Sequence, residues 1–161
     1  MITSIDAVLS IARALLPVRE AAPNRGRFVD TIIEFAGGTP PEPWCASFIY
    51  YCGRIALGSN WPLPKTRSCD VLLEYAIKKN LIAPLTVPSR GDLFLVMKSP
   101  TDAIHVGFVE TLRADQGTLA FQTLEGNTNT DGSSNGIGVF RNVRNKIAGR
   151  TKYVFIRWSS V

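Results

Sequence analysis

The sequence predicts a single α+β domain, with amphipathic helices first and a largely antiparallel sheet of about five strands after them. Three observations point there. Apolar residues recur at three-and-four spacing through the first half, short β-branched and aromatic runs broken by Gly, Asn, Asp and Ser fill the second, and 161 residues suit one packed core better than two. Helices followed by strands imply helices packed on one side of the sheet. The whole chain, 1–161, is therefore read as one catalytic-sized domain with no separate binding domain.

Ile5, Val8, Leu9, Ala12, Leu15 and Leu16 predict a first helix that stops at Pro17. Phe28, Ile32, Ile33 and Phe35 predict a second, closed by Gly37 and Gly38. The rigid turn Thr39-Pro40-Pro41-Glu42-Pro43 leads into Trp44-Cys45-Ala46-Ser47-Phe48, and Pro43 permits a helix to start directly after it, with Cys45 in the first turn. Ser68 is a polar N-cap for a further helix through Val71, Leu72, Tyr75, Ala76 and Ile77. Strands are expected over 91–97, 104–109, 118–124, 138–140 and 153–158.

Composition excludes several classes. No apolar run reaches the length of a membrane span, and the start alternates Asp6 and Arg13 with apolar residues instead of resembling a secretory leader, so synthesis in the cytoplasm without a signal peptide is expected. Cys45, Cys52 and Cys69 are odd in number and lack CxxC spacing, which argues against a disulfide framework or a zinc knuckle, and Cys52 and Cys69 read as core. From Gly132 to Val161 there is no acid, yet Arg141, Arg144, Lys146, Arg150, Lys152 and Arg157 are present, so this end should attract anionic wall or outer-membrane polymers. Without a basic helical stripe or an aromatic RNA-binding signature, no nucleic-acid partner is expected. The reading is of a monomer.

A thiol attacks carbonyls as a thiolate, and the partial positive charge at a helix start favours that form. Cys45 is placed for this, with first-turn N–H groups able to stabilise an oxyanion. The chain has one histidine, His105, to act as base. If Ile104 and Val106 face the core, strand alternation turns His105 the other way, toward a cleft. An imidazole needs an acceptor on its second nitrogen, and Glu125 or Asn127, at the end of the next strand, can supply it, with facing left open. Trp44 either lines the cleft as a substrate-binding residue or staples the helix start.

Pro43-Trp44-Cys45-Ala46-Ser47-Phe48, Gly91-Asp92-Leu93-Phe94, His105-Val106-Gly107-Phe108-Val109 and Glu125-Gly126-Asn127 occur in this order. In order, spacing and local sequence they resemble the CHAP family, cysteine, histidine-dependent amidohydrolases and peptidases of the NlpC/P60-like, papain-like group. The likeness spans about residues 8–158 and extends to Asn24-Arg25-Gly26, as in phage and prophage members. It implies a papain-like fold and cleavage of an amide bond in bacterial peptidoglycan, as an N-acetylmuramoyl-L-alanine amidase or an endopeptidase. It further implies Cys45 as nucleophile, His105 as base and later acid, Glu125 as the orienting group, and Asn127 as a further polar member binding substrate or oxyanion. The segment before Cys45 holds one carboxylate, Glu42, where some relatives bind calcium, so neither metal nor cofactor is expected. Ser59 to Ser68 and Thr128 to Gly136 are the expected specificity loops. A phage lysis enzyme acting on the wall after release is the first biological reading; an interbacterial effector or a catalytically silent wall-binding module are the alternatives.

Overall fold

The computed structural model describes residues 2–84, 88–115, 118–146 and 153–160 and is α+β, with four α-helices before most of a six-stranded antiparallel sheet. Helix α1 (Ser4–Ala14) begins at a capping box, in which Thr3 Oγ1 accepts from the Asp6 N–H and the Asp6 carboxylate accepts from the Thr3 N–H, both at 3.1 Å. It ends at Ala14, short of Pro17. Helix α2 (Arg27–Phe35) buries Val29, Ile32 and Ile33. Helix α3 (Cys45–Leu57) starts two residues after Pro43, and α4 (Cys69–Lys78) starts after Ser68, whose Oγ accepts from the Val71 N–H at 3.3 Å.

The sheet runs β1 (Ile82–Ala83), β6 (Tyr153–Ile156), β2 (Leu93–Ser99), β3 (Asp102–Asp115), β4 (Thr118–Thr128), β5 (Gly138–Lys146) in spatial order. It has one strand more than expected. β1 is two residues long and pairs only with β6, too brief to leave an alternating pattern in the sequence. β4 and β5 run past their expected ends, to Thr128 and Lys146, because each pairs along most of its length with the other. Glu125, Asn127, Arg141 and Arg144 therefore lie on strands.

Alternation sorts the sheet's two faces. Leu93 and Leu95 join Val8, Leu9, Ile32, Phe48, Ile49 and Leu72 in the main core, while Phe94 between them packs with Val109, Phe121 and Phe155 in a separate cluster. On β3, Val106 and Phe108 enter the main core, but Ile104, expected there too, is 42% exposed. It sits near the strand's start, opposite the stretch of β2 where the β2–β3 register slips.

The cationic end is largely spoken for by carboxylates. Arg141 and Arg13 both grip the buried Glu110 at 2.6 Å, and Arg157 forks onto buried Asp92 at 3.1 and 2.9 Å. Asp92 makes its turn as well, accepting from the Ser89 N–H at 2.7 Å. Arg150 and Lys152 lie outside the described residues, as does the side chain of Lys146. No helix among the described residues is long and apolar enough to cross a membrane.

Gly126 is what allows β4 to seat against α3. A Cβ there would stand 2.6 Å from Phe48 Cγ and 2.9 Å from Trp44 Cζ3, closer than carbon atoms tolerate. Gly126→Ala is expected to destabilise the fold by about 1–3 kcal/mol in urea unfolding, the usual cost of overpacking, and a change under 0.5 kcal/mol would mean that this contact yields freely.

Candidate active site

Cys45 is the first residue of α3, and its neighbours Ala46 and Ser47 complete a first turn whose N–H groups have no intrahelical acceptor. Trp44, the N-cap, contributes no side-chain cap. The Asn127 amide does the equivalent work on the residue before: oriented to satisfy both ends, its oxygen accepts from the Trp44 N–H at 3.2 Å and its nitrogen donates to Asn24 Oδ1 at 3.2 Å and Gly136 O at 3.3 Å. Asn127 reaches this point with φ at 56°, a left-handed conformation that Asn adopts more readily than most side chains, inside a break in the β4–β5 register.

That geometry separates the two candidates for orienting His105. Glu125 Oε2 bonds His105 Nε2 at 2.8 Å, and both side chains are fully buried. Asn127, expected beside the histidine or substrate, instead pins the start of α3 and is wholly buried. Of the two roles open to Trp44, the structure shows the packing one. It is 0% exposed, packs edge-on against Phe48, and donates its indole N–H to Glu20 Oε1 at 2.8 Å.

Glu125 is itself held on every side. Thr123 Oγ1 donates to Oε1 at 2.5 Å, while Arg144 donates from Nε to Oε1 at 2.8 Å and from Nη2 to Oε2 at 2.6 Å. Arg144 stacks over Phe94 at 4.9 Å and donates to Gly132 O at 3.0 Å. Sequence reasoning counted Arg144 only as charge at a basic end. Gly107 leaves room for this packing, since a Cβ there would meet Phe94 Cε1 at 2.6 Å and Glu125 Cγ at 2.8 Å.

Burial favours a neutral Glu125, but the hydrogen bonds and charges of Arg144 and His105 outweigh it and hold the carboxyl down at about 2. Burial also opposes charge on His105, yet hydrogen bonding to Cys45 and Glu125, with their negative charges, pushes its pKa up to about 9. With Nε2 committed to Glu125, the buried Nδ1 has no partner at close hydrogen-bonding geometry and is the nitrogen left within electrostatic reach of Cys45.

Cys69 is in the core, as expected, and it also meets Cys45. It is the first residue of α4, and its Sγ lies 3.7 Å from Cys45 Sγ. Hydrogen bonding from Cys69 is the largest influence lowering the Cys45 thiol pKa; burial raises it, and His105 and the Val106 N–H lower it further, for a net value well below an ordinary thiol. The same contact raises the Cys69 thiol, so Cys69 stays protonated as the donor. Cys52 is 0% exposed, and burial pushes its thiol up.

A cavity of about 600 Å³ is lined by Glu42, Pro43, Lys65, Thr66, Arg67 and Ser68. The expected loop Ser59 to Ser68 contributes Lys65, Thr66, Arg67 and Ser68 to this cavity, and Pro43 and Ser68 are near neighbours in sequence of Cys45 and Cys69. The other expected loop, Thr128 to Gly136, contributes Asn135 and Gly136 to a separate cavity of about 370 Å³ against Glu20 to Pro23. Among the described residues no group of three or more His, Cys, Asp or Glu side chains is arranged to hold a metal ion. The arrangement can form a thiolate, hold an oriented imidazolium beside it, and offer helix N–H groups to a developing oxyanion. No family model matches the chain, and no curated protein or solved structure matches it either.

Two measurements follow from the charges. Iodoacetamide should modify Cys45 readily at pH 6, where an ordinary thiol is almost wholly protonated, with a second change in rate near pH 9 as His105 loses its proton. A single rise typical of an unperturbed thiol, or labelling of Cys52 at the same rate, contradicts the assignment. Glu125 binds its proton more weakly folded than unfolded, so the stability it adds is full above its ordinary value of 4.5 and is lost as pH falls through about 2. Glu125→Gln should flatten that acid limb and cost about 3 kcal/mol at neutral pH by leaving Arg144 buried without its anion; thermal melts across pH check both.

Proposed function

We propose that this chain is a cysteine hydrolase of the CHAP kind, papain-like in the way its helices and sheet meet, that cuts an amide bond in the stem or cross-bridge of bacterial peptidoglycan. The observation that carries the reading is the buried line of Cys45, His105 and Glu125, with the cysteine at a helix start and the 2.8 Å histidine–carboxylate bond behind it. The four motifs in their order supply the substrate class.

The Cys45 thiolate attacks the carbonyl carbon, and the first-turn N–H groups of α3 receive the oxyanion. Imidazolium Nδ1 gives its proton to the leaving amine, the carbon–nitrogen bond breaks, and a thioester remains on Cys45. His105 then takes a proton from water as the water attacks the thioester. The carbon–sulfur bond breaks, freeing a carboxylate product and restoring the thiolate–imidazolium pair. Glu125 accepts from Nε2–H throughout, which fixes the ring and stabilises its positive form. The cavity bearing Lys65 and Arg67 is the natural entry for a peptide stem, whose free carboxylates those cations would attract. Its fourth wall is Glu42, ion-paired to Arg67 at 2.6 Å.

Purified peptidoglycan digested with wild type and with Cys45→Ala, then resolved by mass, tests the reading and names the bond. Wild type should release new amine termini or muropeptides, while the variant falls by at least about a thousandfold, as expected on losing a covalent nucleophile. Absence of new fragments with wild type removes peptidoglycan as the substrate, and equal biological effect of the variant turns the reading into a binding module.

A further inference from the structure

Two of the three cysteines converge on one point. Cys45 and Cys69 open α3 and α4, their sulfurs lie 3.7 Å apart, and the two residues are 6% and 7% exposed, whereas Cys52 is sealed at 0%. A hydroxyl side chain of similar size would fill the space and could donate to Cys45 as well, so neither packing nor that hydrogen bond requires a sulfur there. A disulfide needs sulfurs about 2 Å apart, an approach of roughly 1.7 Å from their present separation. The start of α4 is anchored independently, since Asp70 Oδ1 accepts from the Ala103 N–H at 2.7 Å and Ser68 caps the helix.

We propose that Cys45 and Cys69 form a reversible oxidation site, in which Cys69 resolves a peroxide-oxidised Cys45 into a disulfide that silences the nucleophile. The silencing clause rests on reading Cys45 as the nucleophile; the cross-link itself does not. The Cys45 thiolate attacks hydrogen peroxide, forming a sulfur–oxygen bond and breaking the oxygen–oxygen bond, which leaves a sulfenic acid and, after protonation, water. Cys69 then gives up its proton, its sulfur attacks Cys45 sulfur, and the sulfur–oxygen bond breaks to release a second water. Two thiols are oxidised by two electrons in all, and one peroxide is reduced to two waters. The sequence of events suits the electrostatics. Cys69 is kept protonated by its hydrogen bond to Cys45, by burial and by the Cys45 charge, and the first and last of these vanish once that sulfur is oxidised. A dithiol reductant reverses the bond.

The test treats the folded protein with hydrogen peroxide, maps peptides without reduction, and follows Cys45 alkylation before and after dithiothreitol. Expected are a Cys45–Cys69 cross-linked peptide, a mass loss of two hydrogens, alkylation of Cys45 reduced to below about a tenth, and recovery with dithiothreitol. Cys69→Ser should give no cross-link and accumulate sulfinic acid on Cys45 that dithiothreitol cannot reverse. Wild type that shows only sulfinic acid, or a bridge to Cys52, overturns the proposal without reference to the variant's folding. Because the cross-link is read by mass, its failure is distinct from a failure to digest peptidoglycan.

Discussion

The hydrogen bond from the Trp44 N–H to the amide of Asn127 ties the start of α3 to β4, and the rest of the site depends on that tie. It fixes the height at which Cys45 enters its helix. Two residues earlier on the same strand, Glu125 holds His105, so one short stretch of β4 sets both the nucleophile's position and the imidazole's angle. Gly126 between them has no side chain because Phe48 and Trp44 occupy its space. The three residues thus divide the work: one orients, one makes room, one anchors. The anchor extends outward, since Asn127 also bonds Asn24, whose N–H bonds Glu20, whose other oxygen holds the Trp44 indole. The loop ahead of α2 is therefore part of the site's frame.

A buried carboxylate is costly unless its charge is met, and Glu125 is met by Arg144 and His105 together. Glu110 and Asp92 repeat the device with Arg141 and Arg157, each arginine standing on or just after one of the last two strands. Acids carried by β3, β4 and the turn before β2 are thus neutralised from β5 and β6. Of the described arginines in the acid-free stretch from Gly132, Arg141, Arg144 and Arg157 each meet a buried carboxylate, and Arg144 holds the Glu125 that bonds His105.

Much of this was legible in the chain. The helix starts at Cys45 and Cys69 follow from Pro43 and Ser68, local signals that act over a few residues, and a lone histidine leaves no competitor for the base. The facing of Glu125 against Asn127 was not legible, because the left-handed backbone at Asn127 and the register break beside it override simple alternation. Trp44 was ambiguous for a related reason: its partner, Glu20, lies far upstream in an irregular loop with no periodicity to announce it. The meeting of Cys45 with Cys69 is a product of two helix axes converging, information carried by packing and by no residue pattern. Likewise, the pairing of Arg144 with Glu125 appears only once β4 and β5 are in register.

The thiolate's surroundings show why convergence of two helices matters more than either alone. Burial by itself would protonate Cys45, since a desolvated anion is unfavourable. Against that stand the Cys69 thiol, His105 and the Val106 N–H, all acting on the sulfur of a residue that is 6% exposed. Low exposure strengthens each of these attractions by removing competing water, so the same burial that penalises the charge also magnifies what stabilises it. The balance falls to the thiolate because these influences arrive from two elements at once: β3 through Val106 and His105, and the first turn of α4 through Cys69. Remove α4 from that set and the sulfur loses its strongest single donor, which makes the position of Cys69 an electrostatic matter even before any oxidation occurs.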